Sequence, residues 1–198
     1  MDVFPEDMIL EPGELGAVSR GVMRAEDSER LNWYLRAILT ANVYDVAVQS
    51  PLDAAPKMAE KYGVKIHLKR EDLQPVFSFK LRGAYNRMAQ ISKESLAKGV
   101  ICSSAGNHAQ GTALAARQLG CDAVICMPVT TPGIKVEAVR RLGATVALEG
   151  ENYDACQAYA KRRAEEEGRT FVPPFDDPLV VAGQGTVGME VVRQLPSV

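Results

Sequence analysis

The sequence predicts an α/β protein, with parallel, twisted sheets carrying helices on both faces. Two observations carry that expectation. From residue 99 onward short apolar runs alternate with segments of helical period, and the links between them are short and contain glycine. The composition agrees: 46% of the 198 residues are hydrophobic and 24% are charged, enough apolar material for a packed core.

In chain order, residues 1–19 hold two prolines and two glycines without a clear period, and read as an N-terminal arm. Ser28 is a cap candidate, and Leu31, Leu35, Ile38 and Leu39 mark a helix to about Asn42. A second helix is expected over Asp53 to Tyr62, stopped by Gly63, followed by a strand over the alternating segment Val64 to Lys69. Ser78 is placed to cap a helix that opens on Phe79-Lys80. Strands then read at Val100–Ser103, Ala123–Met127, Thr145–Leu148 and Thr170–Val172. Between them helices read at about His108–Leu119, Ile134–Leu142 and Tyr153–Glu167. A last helix is expected from near Gly185. No strand follows it before Val198, so the chain reads as C-terminally truncated or as a fragment.

Charge and composition exclude several classes. Lys plus Arg number 23 and Asp plus Glu 25, a net charge of −2, which builds no field for nucleic acid or an anionic membrane. The longest apolar run, Ala123–Met127, is far too short to span a bilayer. The first 19 residues carry five carboxylates and no Lys or Arg, the reverse of a targeting leader, so a soluble, intracellular location is expected. Lys161-Arg162-Arg163 precede Glu165-Glu166-Glu167 by four residues each, a self-paired helix surface. Four cysteines without a C-x-x-C spacing and two histidines, neither near a cysteine in sequence, predict no metal site and reduced, buried thiols.

Three local features are candidates for chemistry. Lys80 stands in the first turn of a helix beside Phe79; a helix N-terminus and an aromatic neighbour both favour a free amine, the state that Schiff-base chemistry needs. A solvated surface lysine is the alternative. Ser103-Ser104-Ala105-Gly106-Asn107-His108 joins a strand to a helix, where converging N–H groups suit a carboxylate or phosphate. A tight turn with a cap is the alternative there. Gly183-Gln184-Gly185-Thr186-Val187-Gly188 spells G-x-G-x-x-G after an apolar run, but no acidic residue about twenty positions on is available to complete a dinucleotide site.

Lys69-Arg70-Glu71-Asp72-Leu73-Gln74-Pro75-Val76-Phe77-Ser78-Phe79-Lys80-Leu81-Arg82-Gly83-Ala84-Tyr85 resembles the segment around the pyridoxal-phosphate lysine of the threonine deaminases. Ser104-Ala105-Gly106-Asn107-His108-Ala109-Gln110-Gly111 resembles that family's substrate loop. Val172 to Pro178 and Ala182-Gly183-Gln184-Gly185-Thr186 match in the same order. The resemblance spans about residues 22–195; the biosynthetic threonine deaminases fit best, and serine racemase and the serine dehydratases are similar relatives.

The resemblance implies a fold type II pyridoxal-phosphate enzyme with an incomplete large domain. Residues 20–100 begin that domain, 101–178 form a small α/β domain, and 179–198 return to the large one. It implies that Lys80 is the catalytic lysine and carries the cofactor, with Phe79 packed beside it and Asn107 at the ring oxygen. Ser104, Gly106, Asn107 and His108 then serve the substrate. The implied reaction is deamination of L-threonine to 2-oxobutanoate and ammonia, the first step toward isoleucine, in a homo-oligomer of the full-length form. Ala105 replaces the racemase's second serine, so elimination with little racemisation follows. The family's glycine-rich phosphate loop has no counterpart before Val198, which implies a partial or weakly active form. A catabolic serine/threonine dehydratase and a catalytically silent fragment that associates with full-length subunits stand as alternatives. The implied compartment is the cytoplasm, or a plastid for a photosynthetic source.

Overall fold

The structure is a computed structural model that describes residues 25–198. The expected arm over residues 1–19 lies outside the described residues. In chain order the elements are α1 (Ala25–Leu39), a 3-10 turn (Val43–Asp45), β1 (Leu52–Ala54), α2 (Pro56–Tyr62), β2 (His67–Lys69), a second 3-10 turn (Glu71–Leu73) and α3 (Lys80–Met88). They continue with α4 (Lys93–Ala97), β3 (Val100–Ser103), α5 (Asn107–Leu119), β4 (Ala123–Met127), α6 (Gly133–Arg140), β5 (Thr145–Leu148), α7 (Tyr153–Glu167), β6 (Thr170–Phe171) and α8 (Pro178–Gln194).

The core is a four-stranded sheet in the order β5-β4-β3-β6, parallel throughout, with Val100 opposite both Ala123 and Thr170. The two central strands, β3 and β4, are buried at every residue. Their side chains alternate between the faces, as strand geometry requires. Val100, Cys102, Ala123, Ile125 and Met127 pack on one side with Tyr85 and Met88 of α3, Ala113 and Ala116 of α5, and Val136 and Val139 of α6. Ile101, Val124 and Cys126 pack on the other with Cys156, Ala160 and Ala164 of α7. Helices therefore cover both faces.

Several boundaries differ from the sequence reading, among them the strand expected over Val64 to Lys69, which covers only His67–Lys69. Leu52–Ala54 is a strand, paired antiparallel with His67–Lys69, and the helix expected from Asp53 starts at Pro56. Proline at the first helical position keeps Ala55 out of the helical region (φ −113°, ψ 74°). The first helix begins at Ala25, before the expected Ser28 cap, and ends at Leu39. The last helix starts at Pro178, seven residues ahead of Gly185, because the Asp177 carboxylate accepts hydrogen bonds from the N–H groups of Leu179 and Val180.

Gly183 and Gly185 lie inside α8, so their motif is a packing device. A Cβ at Gly183 would lie 2.7 Å from the Arg82 carbonyl oxygen and from Gly83 Cα, and one at Gly185 would lie 2.5 Å from Ile38 Cδ1. Glycine at these two positions lets α3 and α1 press against α8. On α7, Arg162–Glu166 and Arg163–Glu167 form two of the three expected ion pairs, while Lys161 Nζ lies 6.0 Å from the centre of the Phe171 ring.

Candidate active site

The segment ahead of α3 delivers Lys80. Phe77 N–H closes a turn onto the Gln74 carbonyl at 2.8 Å, and Phe77 takes a left-handed φ of 56°. Ser78 is buried, and its hydroxyl accepts the Lys80 N–H at 3.3 Å. Phe79 already has helical dihedrals (φ −63°, ψ −18°). Lys80 Nζ then donates to the Pro174 carbonyl at 2.6 Å and lies 5.8 Å from the centre of the Phe79 ring.

The β3–α5 loop carries the other candidate residues. Ser104 N–H donates to the Cys126 carbonyl at 3.0 Å, which ties the exit of β3 to β4. Gly106 N–H donates to Ser104 Oγ at 3.2 Å. Gly106 occupies the cap position of α5, so no side chain caps the helix, and a Cβ there would meet nothing within 4 Å. Asn107 opens the helix with its side chain exposed. One turn later a Cβ at Gly111 would lie 3.0 Å from Leu81 Cα and 3.2 Å from the Lys80 carbonyl carbon. Residues four apart share a helix face. Asn107 therefore lies on the face that α5 presses against the start of α3.

His108 turns inward. It is 3% exposed, its Nε2 lies 3.0 Å from the Val172 carbonyl oxygen, and Thr112 Oγ1 stands 3.4 Å from the same nitrogen. Burial pushes its pKa down to about 4, against the raising effect of the Val172 hydrogen bond, with the positive charge of Lys80 adding to the fall. A neutral ring facing a carbonyl must carry its proton on Nε2, so Nδ1 is a bare acceptor, and it has no hydrogen-bond partner. The ring is thus committed to Val172.

Lys80, Phe79, Ser104, Gly106 and Asn107 gather around the segments that leave β3 and β6 at their carboxyl ends, the edge where open α/β sheets take ligands. Behind them lies a buried ionic cluster. Arg82, fully buried, donates to both oxygens of Glu71 at 2.9 Å and to Glu190 at 2.6 Å, and Lys69 pairs with Glu190 at 2.6 Å. Sequence reasoning missed this cluster and the carbonyls of Val172 and Pro174. Glu190, a lone acid within the apolar Val187–Val192 stretch, was the available signal for the first.

Residues 43–198 match the family model described as pyridoxal-phosphate dependent enzyme. The chain belongs to this family. It is 70% identical to threonine dehydratase 1 biosynthetic, chloroplastic, of Solanum lycopersicum over 82% of its length, which is 27% of that relative. It is 60% identical to the biosynthetic, chloroplastic threonine dehydratase of Arabidopsis thaliana over 98% of its length and 33% of the relative. It therefore spans about a third of the curated relatives it matches. Among solved structures it resembles the processed form of threonine deaminase isoform 2 from Solanum lycopersicum (TM-score 0.84, 55% identity, 87% of this chain and 47% of that one). It also resembles maize serine racemase (TM-score 0.79, 31% identity, 82% and 50%).

The family's cofactor can be set against the residues present. Pyridoxal phosphate needs an amine for its aldehyde, a donor or acceptor for its ring oxygen and room beside both. This pyridoxal-phosphate family member offers the Lys80 amine, the exposed Asn107 amide and the open, uncapped turn at Gly106. The donor set fits. Among the described residues, no group of three or more His, Cys, Asp or Glu is arranged to hold a metal, and no helix is long and apolar enough to cross a membrane.

Proposed function

We propose that this chain is part of an ammonia-lyase that deaminates L-threonine to 2-oxobutanoate and ammonia, an entry step to isoleucine. The observation that carries the reading is the amine of Lys80, delivered by the first turn of α3 to the Pro174 carbonyl just past β6, on the carboxyl-end edge of the sheet. The threonine dehydratase names of the plant relatives support the substrate.

When bound, pyridoxal phosphate supplies the electron sink that makes a substrate's α-proton removable. Lys80 holds the cofactor through Nζ, and the same amine, when free, is the base for that proton. Phe79 would stand beside the bound cofactor, and the Asn107 amide would serve its ring oxygen. Ser104, Gly106, Asn107 and the backbone N–H of His108 receive the substrate carboxylate, which the uncapped N-terminus of α5 favours. Ala105 has no proton to exchange on the opposite face of the substrate, so the reading is elimination with little racemisation.

Residues 20–100 and 179–198 are read as parts of one large domain and 101–178 as a smaller one; the close α3–α8 contact at Gly83 and Gly183 supports joining the first two. The matched relatives are about three times as long, and a homo-oligomer of the full-length form belongs to the same reading. The chloroplastic names of the plant relatives support a plastid location over the cytoplasm.

The test is to mix the purified 198-residue chain with pyridoxal phosphate, reduce with borohydride and map the labelled peptide. Label concentrated on Lys80, with a visible absorption band before reduction, is the expected result. A folded sample with no band, or with label spread over the surface lysines, overturns the reading.

A further inference from the structure

We infer that His108 is a positioning residue for Lys80 and acts through the segment Val172-Pro173-Pro174. The inference deepens the proposed function and rests on its assignment of Lys80.

The two side chains hold alternate carbonyls of one short stretch: His108 Nε2 lies 3.0 Å from Val172 O, and Lys80 Nζ lies 2.6 Å from Pro174 O. Val172 is the last residue tied to the sheet, its N–H donating to the Ile101 carbonyl at 2.8 Å, and it is fully buried. The next two residues are prolines. Each has a fixed φ and no N–H, so this link is stiff and makes no ladder hydrogen bond of its own. With φ fixed at both prolines, few directions stay open to the Pro174 carbonyl once the Val172 carbonyl is held, and His108 holds that one.

The far end of the stretch is fixed as well. The Asp177 carboxylate caps α8 and accepts from Arg87 Nε at 2.9 Å, and Arg87 stands two turns beyond Lys80 on α3. Between these anchors Asp176 takes a left-handed φ of 51° to turn the chain. The strap is thus held at both ends, with Lys80 bound at its middle. The cost of leaving His108 Nδ1 buried and bare is a further sign that the ring's place is set by its other nitrogen. Any donor that reaches Val172 O should serve, and an apolar side chain of similar size should not.

The test needs no cofactor. Trace labelling of the folded chain with acetic anhydride compares the reaction rate of Lys80 with those of Lys93 and Lys135. In the natural chain the Pro174 hydrogen bond protects Lys80. His108→Leu is expected to raise the Lys80 rate about fivefold, the ratio that one net hydrogen bond supports, with Lys93 and Lys135 unchanged. His108→Gln, which keeps an N–H in reach of Val172 O, is expected to restore protection.

Unaltered Lys80 protection in a folded His108→Leu overturns the inference. So does a His108→Gln that melts like the natural chain yet leaves Lys80 as reactive as His108→Leu does. Borohydride trapping of pyridoxal phosphate on the same proteins separates the two claims. Failure to trap on Lys80 in the natural chain, with the protection pattern intact, refutes the cofactor assignment and leaves the positioning role standing.

Discussion

Gly111 and Lys80 meet where α5 crosses the start of α3: a Cβ on Gly111 would lie 3.2 Å from the Lys80 carbonyl carbon and 3.0 Å from Leu81 Cα. Both neighbours are backbone, which cannot swing aside. A glycine inside a helix costs about 0.5–1 kcal/mol relative to alanine, so the close approach must outweigh that loss.

Gly111→Ala is therefore expected to lower stability by about 1 kcal/mol despite its gain in helix propensity, and to weaken trapping of pyridoxal phosphate on Lys80. Gly188→Ala is the control. It lies in α8 with nothing within 4 Å of a new Cβ, and should raise stability by about 0.5–1 kcal/mol. Urea unfolding of both variants checks the opposite signs.

Arg82 with Glu71, Glu190 and Lys69 makes a buried cluster with two charges of each sign. Arg82→Met is expected to destabilise by about 3–5 kcal/mol, because it leaves buried carboxylates short of a partner. Adding Glu190→Leu should recover part of that loss, and a double-mutant cycle in urea measures how much.

Burial by itself would raise the pKa of Glu190, but hydrogen bonds from Arg82, Lys69 and Tyr44 outweigh it and hold the carboxyl below its ordinary value of 4.5. A depressed carboxylate contributes stability that is complete above the unfolded pKa and is lost as pH falls through the folded one. Acid unfolding below about pH 4.5 should therefore weaken in Glu190→Gln, which starts from a lower plateau at neutral pH.

His108 acts over a different window. Its pKa is near 4 in the fold against an ordinary 6.5, so between those values the unfolded chain binds the extra proton. Stability then falls as pH drops from about 6.5 to about 4, by up to roughly 3 kcal/mol from this group. The urea midpoint of His108→Gln should be flatter than that of the natural chain across this window.

Cys102 and Cys126 are buried and burial pushes both thiols up to about 12, while Cys156 is buried and raised as well. Cys121 is half-buried. A maleimide should label Cys121 alone in the folded chain and all four thiols in urea, read by intact mass.

Much of the architecture was legible because the signals were local. Strands β3, β4 and β5 and helix α7 fall where alternation and helical period place them, since each is bounded by glycine or a polar turn. Leu179–Ala182 falls outside the helix expected from near Gly185 because a short apolar run by itself marks no helix start; Asp177 and Pro178 set that start through the cap. Leu52–Ala54 was hidden for the opposite reason: a three-residue strand exists only through its pairing with His67–Lys69.

The site divides along the same line. Residue order alone determined that Lys80 opens a helix beside Phe79, that Gly106 and Asn107 open another after a strand, and that the family is the pyridoxal-phosphate one, because motifs are written in consecutive residues. Tertiary structure decided that the His108 ring faces Val172 rather than the loop, that Pro174 holds the Lys80 amine, and that Arg82 is neutralised by Glu71 and Glu190. Those contacts join residues 11 to 108 positions apart, and only a closed core, with its carbonyls and charges short of water, makes each of them necessary.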